Sequence, residues 1–182
     1  DPELRARIDR ECIAPSVAHL KKRGFTYRGV LYVGLMITPN GPSVLEYNCR
    51  FGDPEAQVIL PLMAGDWGFV FRELSQGHVN KLAWKSASAC CVVLAAEGYP
   101  DSPVKGAMVS GLRELEASPS SYALHAGTKR EGSTWLTSGG RVLNAIGIGS
   151  SLRDAISSAY ACADRVSWKG LQLRKDIGRT SN

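Results

Sequence analysis

The alternation in Leu45-Glu46-Tyr47-Asn48-Cys49-Arg50-Phe51 constrains this chain more than any other segment. Successive side chains of a strand leave on opposite faces, so Glu46, Asn48 and Arg50 share one face and Leu45, Tyr47, Cys49 and Phe51 the other. The second set reads as a core face. The first places a carboxylate, an amide oxygen and a guanidinium side by side, a set suited to holding a divalent cation and an anion together. On the residues alone, the commoner reading of such a face is a solvated sheet surface with a cross-strand ion pair. The apolar, β-branched run over residues 29–37 leads through Thr38-Pro39-Asn40-Gly41-Pro42 into the alternating segment, which predicts a β-hairpin.

Around the hairpin the pattern is helical. Asp1 and Pro2 read as an N-cap and first-turn pair; Leu4, Ile8, Cys12, Val17 and Leu20 recur at helical spacing, Pro15 bends or divides the segment, and Gly24 stops it. Asp53 and Pro54 read as the N-cap and N1 residue of a helix running through Val58, Ile59, Leu62 and Met63, closed by Gly65. A further helix is expected from Asp66 to about Gln76, followed by a loop at Gly77 and Asn80.

Composition changes near Lys85, where we place the domain boundary: residues 1–85 and residues 86–182. The second part opens with a continuous apolar run over residues 87–96, read as a buried strand. Short strands follow near residues 105–110, 122–126, 134–136 and 141–148, separated by Gly and Ser turns. Ser151 caps a helix over residues 152–166 whose Ile156, Ala159, Ala163 and Val166 form an apolar stripe. The expected fold class is α+β, an antiparallel sheet with helices followed by a small, mainly antiparallel β domain with one packing helix.

With 44% apolar and 21% charged residues among 182, the chain has ordinary globular composition. No apolar run approaches the length of a bilayer span and no basic-then-apolar leader opens it, so a cytoplasmic protein without membrane association is expected. The five cysteines are odd in number and contain no Cys-x-x-Cys pair, which favours buried, reduced thiols, Cys90 and Cys91 above all, over disulfides or a zinc site. A net charge of +5 favours anionic ligands. Because Lys and Arg are spread from Arg5 to Arg179 among acidic residues, small phosphorylated ligands are favoured over nucleic acid.

Specific runs carry a resemblance. Gly29-Val30-Leu31-Tyr32-Val33-Gly34-Leu35-Met36, Asn40-Gly41-Pro42, residues 46–55, and Gln57-Val58-Ile59-Leu60-Pro61-Leu62 resemble the phosphoribosylamine glycine ligase (glycinamide ribonucleotide synthetase) family of ATP-grasp enzymes. Downstream, Gly98-Tyr99-Pro100, Lys105-Gly106, His125-Ala126-Gly127-Thr128, Gly139-Gly140-Arg141-Val142-Leu143 and Arg174-Lys175-Asp176-Ile177-Gly178 follow in the family's order. The resemblance covers nearly the whole chain. It implies that residues 1–85 are the C-terminal portion of an ATP-grasp domain and residues 86–182 the C-terminal domain of this family. The family's enzyme is considerably longer, and its first half supplies the N-terminal domain, the ATP lid and much of the adenine pocket. The chain thus resembles a C-terminal fragment, inactive by itself.

The resemblance implies a ligase of purine biosynthesis. ATP phosphorylates glycine, and the amine of 5-phosphoribosylamine attacks the glycyl phosphate to give glycinamide ribonucleotide, ADP and phosphate. It makes Glu46 and Asn48 ligands of Mg²⁺ or Mn²⁺, and Arg50 the catalytic clamp on the acyl phosphate. Arg174 and Lys175 meet the ribose phosphate in this reading, although an exposed basic pair is the usual fate of such residues. Arg141 assists them or is a surface arginine. The Ala-Gly-Thr sequel to His125 suggests a loop whose amides approach a ligand, which makes His125, Gly127 and Thr128 substrate contacts; a structural histidine is the alternative. Asp53 is read as mainly structural. A monomer is favoured.

The chain departs from the family in two places. Asp101 stands where glycine usually follows Gly98-Tyr99-Pro100, and the tail Arg179-Thr180-Ser181-Asn182 lacks the usual closing strand or helix. Alternatives are another ATP-grasp enzyme, such as a phosphoribosylaminoimidazole carboxylase, or a non-enzymatic basic binding module.

Overall fold

The structure, a computed structural model, describes residues 1–78, 82–112 and 119–179. The expected loop residue Asn80 and the tail 180–182 lie outside the described residues. The chain divides into two compact units, Asp1–Gly52 with Gly65–Leu82, and Asp53–Ala64 with Ala83–Asn182. Residues 53–64 thus group with the second unit, on the far side of the boundary expected at 85/86.

In the first unit, α1 (Pro2–Ile8), a π-helical segment (Asp9–Ile13) and α2 (Ala14–Lys22) follow without a break. Asp1 caps α1 by accepting from the Glu3 amide at 2.9 Å. The helical run continues through Pro15. Proline has no N–H and its ring crowds the carbonyl four residues back; here the preceding turn widens, and the Ala14 amide donates to the Asp9 carbonyl. The strands β1 (Tyr32–Thr38) and β2 (Gly41–Asn48) form the expected antiparallel hairpin, with a register shift between Gly34 and Leu35. α4 (Trp67–Gln76) is capped by Asp66, which accepts from the Phe69 amide, and ends on left-handed Gly77.

The second unit holds a three-stranded antiparallel sheet in the order β5 (Ser88–Ala95), β9 (Arg141–Gly149), β6 (Ser121–His125). One face packs on α5 (Leu152–Ala163), where Leu94, Leu143, Ala145, Ala155, Ala159 and Cys162 make the core. Packing is closest at Gly147, where an added Cβ would meet the Ala155 carbonyl at 2.1 Å and the Ala159 amide at 2.3 Å. Strand pairing puts Cys91 with Ile146, Val93 with Asn144 and Ala95 with Arg141 on the opposite face, over which α3 (Ala56–Leu62) lies. A hairpin, β7 (Thr128–Glu131) and β8 (Thr134–Thr137), and the short pair β3 (Met63–Ala64) with β4 (Ala83–Trp84) complete the unit.

Several expectations are corrected. β2 stops at Asn48, so Arg50 lies in a bend beyond the strand. The face expected to be core is open: Leu45 and Tyr47 are 63% and 50% exposed, and Cys49 is also exposed, which contradicts the expectation of uniformly buried thiols. Leu45 is the residue skipped by the register shift, and a two-stranded ribbon offers no further strand to bury its surface. Asp53 is not a cap, since α3 begins at Ala56 with no side-chain cap. The expected strand near residues 105–110 is reduced to isolated bridges at Met108 and Ser110.

Candidate functional site

Glu46 and Asn48 do share a face. Asn48 donates from Nδ2 to Glu46 Oε1 at 3.0 Å, which fixes the amide so that its oxygen is turned away from the carboxylate and left to accept or to ligate. Across the hairpin, Glu46 pairs with Gly34 and Asn48 with Tyr32. The cross-strand position opposite the carboxylate therefore holds no side chain at all, and among the described residues Glu46 forms no ion pair. This departs from the ordinary sheet face, where a lysine or arginine would sit there. Arg50 donates from Nη1 to the Phe51 carbonyl at 2.9 Å, which leaves the rest of its guanidinium open.

The residues fit a hard cation. One carboxylate and one amide oxygen are the protein share expected where phosphate oxygens and water complete the shell. No cluster of three or more His, Cys, Asp or Glu suited to a metal occurs among the described residues, so a closed, all-protein cage is not what this surface offers.

In the second unit, Arg141 and Arg174 line one pocket of about 370 Å³ together with Val93, Ala95, Tyr99, Gln172 and Leu173. Lys175, next in sequence, does not line it. Arg174 holds Asp176 with both prongs, Nε to Oδ1 at 3.0 Å and Nη2 to Oδ2 at 2.6 Å. That pairing lowers the Asp176 carboxyl below the usual aspartate range and raises Arg174. The Arg174 carbonyl accepts from the Tyr160 hydroxyl at 2.8 Å, and that hydroxyl accepts from the Ile177 amide at 3.1 Å, so α5 anchors the segment. Arg141 donates from Nη1 to the Asp53 carbonyl at 2.6 Å and places Nη2 3.5 Å from Asp53 Oδ2. Asp53 Oδ1 accepts from Gln57 Nε2 at 2.8 Å.

The paired glycines before Arg141 have separate tasks. A Cβ on Gly139 would press on Gly127 at 3.1 Å, and one on Gly140 would lie 2.4 Å from the Tyr99 ring. Gly127 is held in the same way: its amide donates to the Arg141 carbonyl at 2.7 Å, and its missing Cβ would fall 2.6 Å from that oxygen. Gly127 therefore braces the start of β9, and its amide is already taken. His125 is exposed, stacks on Trp135 with ring centroids 4.3 Å apart, and shares a hydrogen bond of 2.8 Å between Nδ1 and Thr128 Oγ1. Neither His125 nor Thr128 lines the pocket.

Sequence reasoning underrated Asp53 and missed Gln57, Tyr99 and Gln172. Gly98-Tyr99-Pro100 and Gly139-Gly140-Arg141 each stood out as motifs, but nothing in their spacing says that Tyr99 rests on Gly140.

Comparison with known proteins agrees with this architecture. Residues 1–56 match the family model for the phosphoribosylglycinamide synthetase ATP-grasp (A) domain, and residues 89–180 match that for the C domain of the same synthetase. Phosphoribosylamine–glycine ligase of Nostoc sp. is 42% identical over an alignment covering 100% of this chain and 44% of that protein. The ligase of Synechocystis sp. is 42% identical over 97% of this chain and 43% of its own length. The crystal structure of the Thermotoga maritima ligase superposes with a TM-score of 0.74 at 37% identity, covering 88% of this chain and 39% of that one. The chain spans less than half the length of these relatives. Its folds are those of the end of an ATP-grasp domain and of a separate C-terminal domain. It belongs to the phosphoribosylglycinamide synthetase family.

Proposed function

We propose that this chain forms the C-terminal part of a ligase that joins glycine to 5-phosphoribosylamine at the expense of ATP, giving glycinamide ribonucleotide, ADP and phosphate. The observation that carries this reading is family membership across both matched segments, and the two polar surfaces suit the two charged ends of such a reaction. Residues 1–85 serve as the end of the ATP-grasp domain and residues 86–182 as the C-terminal domain.

Glu46 and the Asn48 amide oxygen hold Mg²⁺ or Mn²⁺, which supplies neutralisation of the charge on the transferring phosphate. Arg50 directs its free N–H groups to the carboxylate of glycine and then to the acyl phosphate made from it. The amine of the sugar attacks the acyl carbon, phosphate leaves, and the amine gives up a proton. Arg141 and Arg174 receive the 5-phosphate of the sugar, with Tyr99 against the ring and Lys175 contributing charge from outside the pocket. His125 and Thr128 are substrate contacts outside the pocket lining, while Gly127 serves by placing Arg141.

Among the described residues six lysines and arginines meet nearby anions, Arg7, Arg10, Arg72, Lys129, Arg141 and Arg174; we favour small phosphorylated ligands over nucleic acid because the basic residues are spread along the chain. No described helix is long and apolar enough to cross a membrane. A cytoplasmic monomer is the state we propose.

The test is phosphate release by the full polypeptide that carries this sequence, dependent on both glycine and 5-phosphoribosylamine. Glu46→Ala and Arg50→Ala should each abolish it. Unimpaired turnover in either variant refutes the assigned site, and release without dependence on glycine refutes the reaction.

A further inference from the structure

The grip on Arg141 is more elaborate than a surface ion pair requires. Asp53 meets it twice, with the main-chain carbonyl at 2.6 Å and with Oδ2 at 3.5 Å from a second guanidinium nitrogen, although the residues are 88 positions apart. Gln57 in turn pins the other carboxylate oxygen, Nε2 to Oδ1 at 2.8 Å. That bond fixes which way the amide points, because only the nitrogen can face a carboxylate. The cost falls on Gln57 Oε1, which is buried with no hydrogen-bond partner among the described residues. Leaving such an acceptor unpaired is destabilising, and a contact of merely decorative value does not explain it.

A guanidinium has five N–H donors. Asp53 occupies one through its carbonyl and at most one more through its carboxylate, so the remainder stay free at the edge of the pocket that Arg141 lines with Arg174. We propose that Asp53 and Gln57 are positioning residues: Gln57 fixes the Asp53 carboxylate, and Asp53 fixes the Arg141 guanidinium so that its free donors meet a phosphate ester in the pocket. The proposal rests on the reading of that pocket as the sugar-phosphate site.

Simple electrostatics predicts the opposite sign, which makes the test sharp. Asp53 is an anion beside an anion site, so a carboxylate acting only through its field would weaken phosphate binding, and its removal would strengthen it. In the positioning role, removal weakens binding. The full polypeptide is titrated calorimetrically with ribose 5-phosphate in wild-type, Asp53→Asn, Gln57→Ala, Arg141→Ala and Asp53→Asn/Arg141→Ala forms. Asp53→Asn should weaken binding about tenfold, as expected when a binding group loses the partner that orients it. Gln57→Ala should act in the same direction, roughly threefold, by freeing the carboxylate. In the Arg141→Ala background the Asp53 change should have no further effect.

Tighter or unchanged binding by Asp53→Asn overturns the proposal, as does an effect that persists without Arg141. A second readout needs no ligand: the order parameter of the Arg141 Nε–H vector, measured by ¹⁵N relaxation, should fall in Asp53→Asn and in Gln57→Ala. An unchanged value in both overturns the positioning role. If the wild type fails to bind ribose 5-phosphate, the pocket assignment fails, while the relaxation result still decides whether Asp53 and Gln57 hold Arg141.

Discussion

Gly34 stands directly across the hairpin from Glu46, and a Cβ built on it would come within 3.0 Å of Glu46 Cγ. The missing side chain does two things at once. It leaves room for the carboxylate to lie over the sheet, and it removes the place from which a cross-strand lysine or arginine would neutralise it. Gly34→Val should therefore push Glu46 aside and leave the buried cluster of the second unit, to which neither residue belongs, untouched. The expected outcome is roughly tenfold weaker Mn²⁺ binding at a nearly unchanged melting temperature, measured on the full polypeptide by electron paramagnetic resonance titration and by calorimetry. Undiminished Mn²⁺ affinity would remove Glu46 from the metal site.

That pairing shows where sequence reading succeeded and where it stopped. Period-two alternation placed Glu46 and Asn48 together, and they are together. The same alternation, read through to Phe51, carried too far, because the strand ends at Asn48, and it predicted a core face that the register shift at Leu45 and the narrow ribbon leave exposed. Helices with strong terminal signals were legible: Ser151 caps α5 as read, and α4 lies where a helix from Asp66 to about Gln76 was expected. β7 escaped notice because Thr128-Lys129-Arg130-Glu131 has no apolar alternation, and its strand form comes from pairing with β8. The contact of Asp53 with Arg141 had no local signal at all. An aspartate before a proline looks like a helix cap, and only the packing of α3 over the sheet brings it to a partner so distant in the chain.

Tyr99 forms its side of the pocket by resting on the bare backbone of Gly140. Gly140→Ala would put a methyl group 2.4 Å from the ring. The ring is 40% exposed and can swing outward, so the fold should survive at a cost of about 1 kcal/mol. The pocket should not. Ribose 5-phosphate binding is expected to weaken roughly fivefold, about 1 kcal/mol, with Tyr99→Ala giving a similar loss and the double variant little more. Additive losses would show that Gly140 acts on something other than Tyr99.

Ser151 and Asp154 cap α5 reciprocally: the Ser151 hydroxyl accepts from the Asp154 amide, and Asp154 Oδ2 accepts from the Ser151 amide and hydroxyl and from the Ser150 hydroxyl. These hydrogen bonds, that from the Ser151 side chain foremost, hold the Asp154 carboxyl below its ordinary value. A depressed carboxyl stabilises the fold fully above its unfolded value, about 3.9, and that stabilisation is lost as pH falls through the lower folded value. Asp154→Asn should flatten the acid limb of stability against pH, leaving behaviour at neutral pH governed by the remaining cap. Urea unfolding at pH 3 and pH 7 measures this, and an unchanged difference between the two would show that the carboxylate is not the group responsible.

Cys91 and Cys49 should differ sharply in chemistry. Cys91 is buried on β5, and burial chiefly, with Cys90, Asp53 and Glu55 adding to it, pushes its thiol from the ordinary value near 9 up to about 12. The folded state therefore keeps the thiol protonated after the unfolded chain has begun to ionise. Stability is intact below pH 9 and falls progressively as pH rises from 9 towards 12, the window set by those two values. Cys90 and Cys162 are raised in the same direction by burial, so they act together with Cys91. Cys49 is exposed. At pH 8 a charged disulfide reagent should modify Cys49 within minutes and reach the four buried cysteines only as fast as the fold opens, a distinction mapped by peptide mass spectrometry. Cys91→Ala should lessen the drop in stability between pH 8 and pH 10. Rapid modification of Cys91 in the native protein would mean that the face of the sheet under α3 is open to solvent, and with it the packing that brings Asp53 to Arg141.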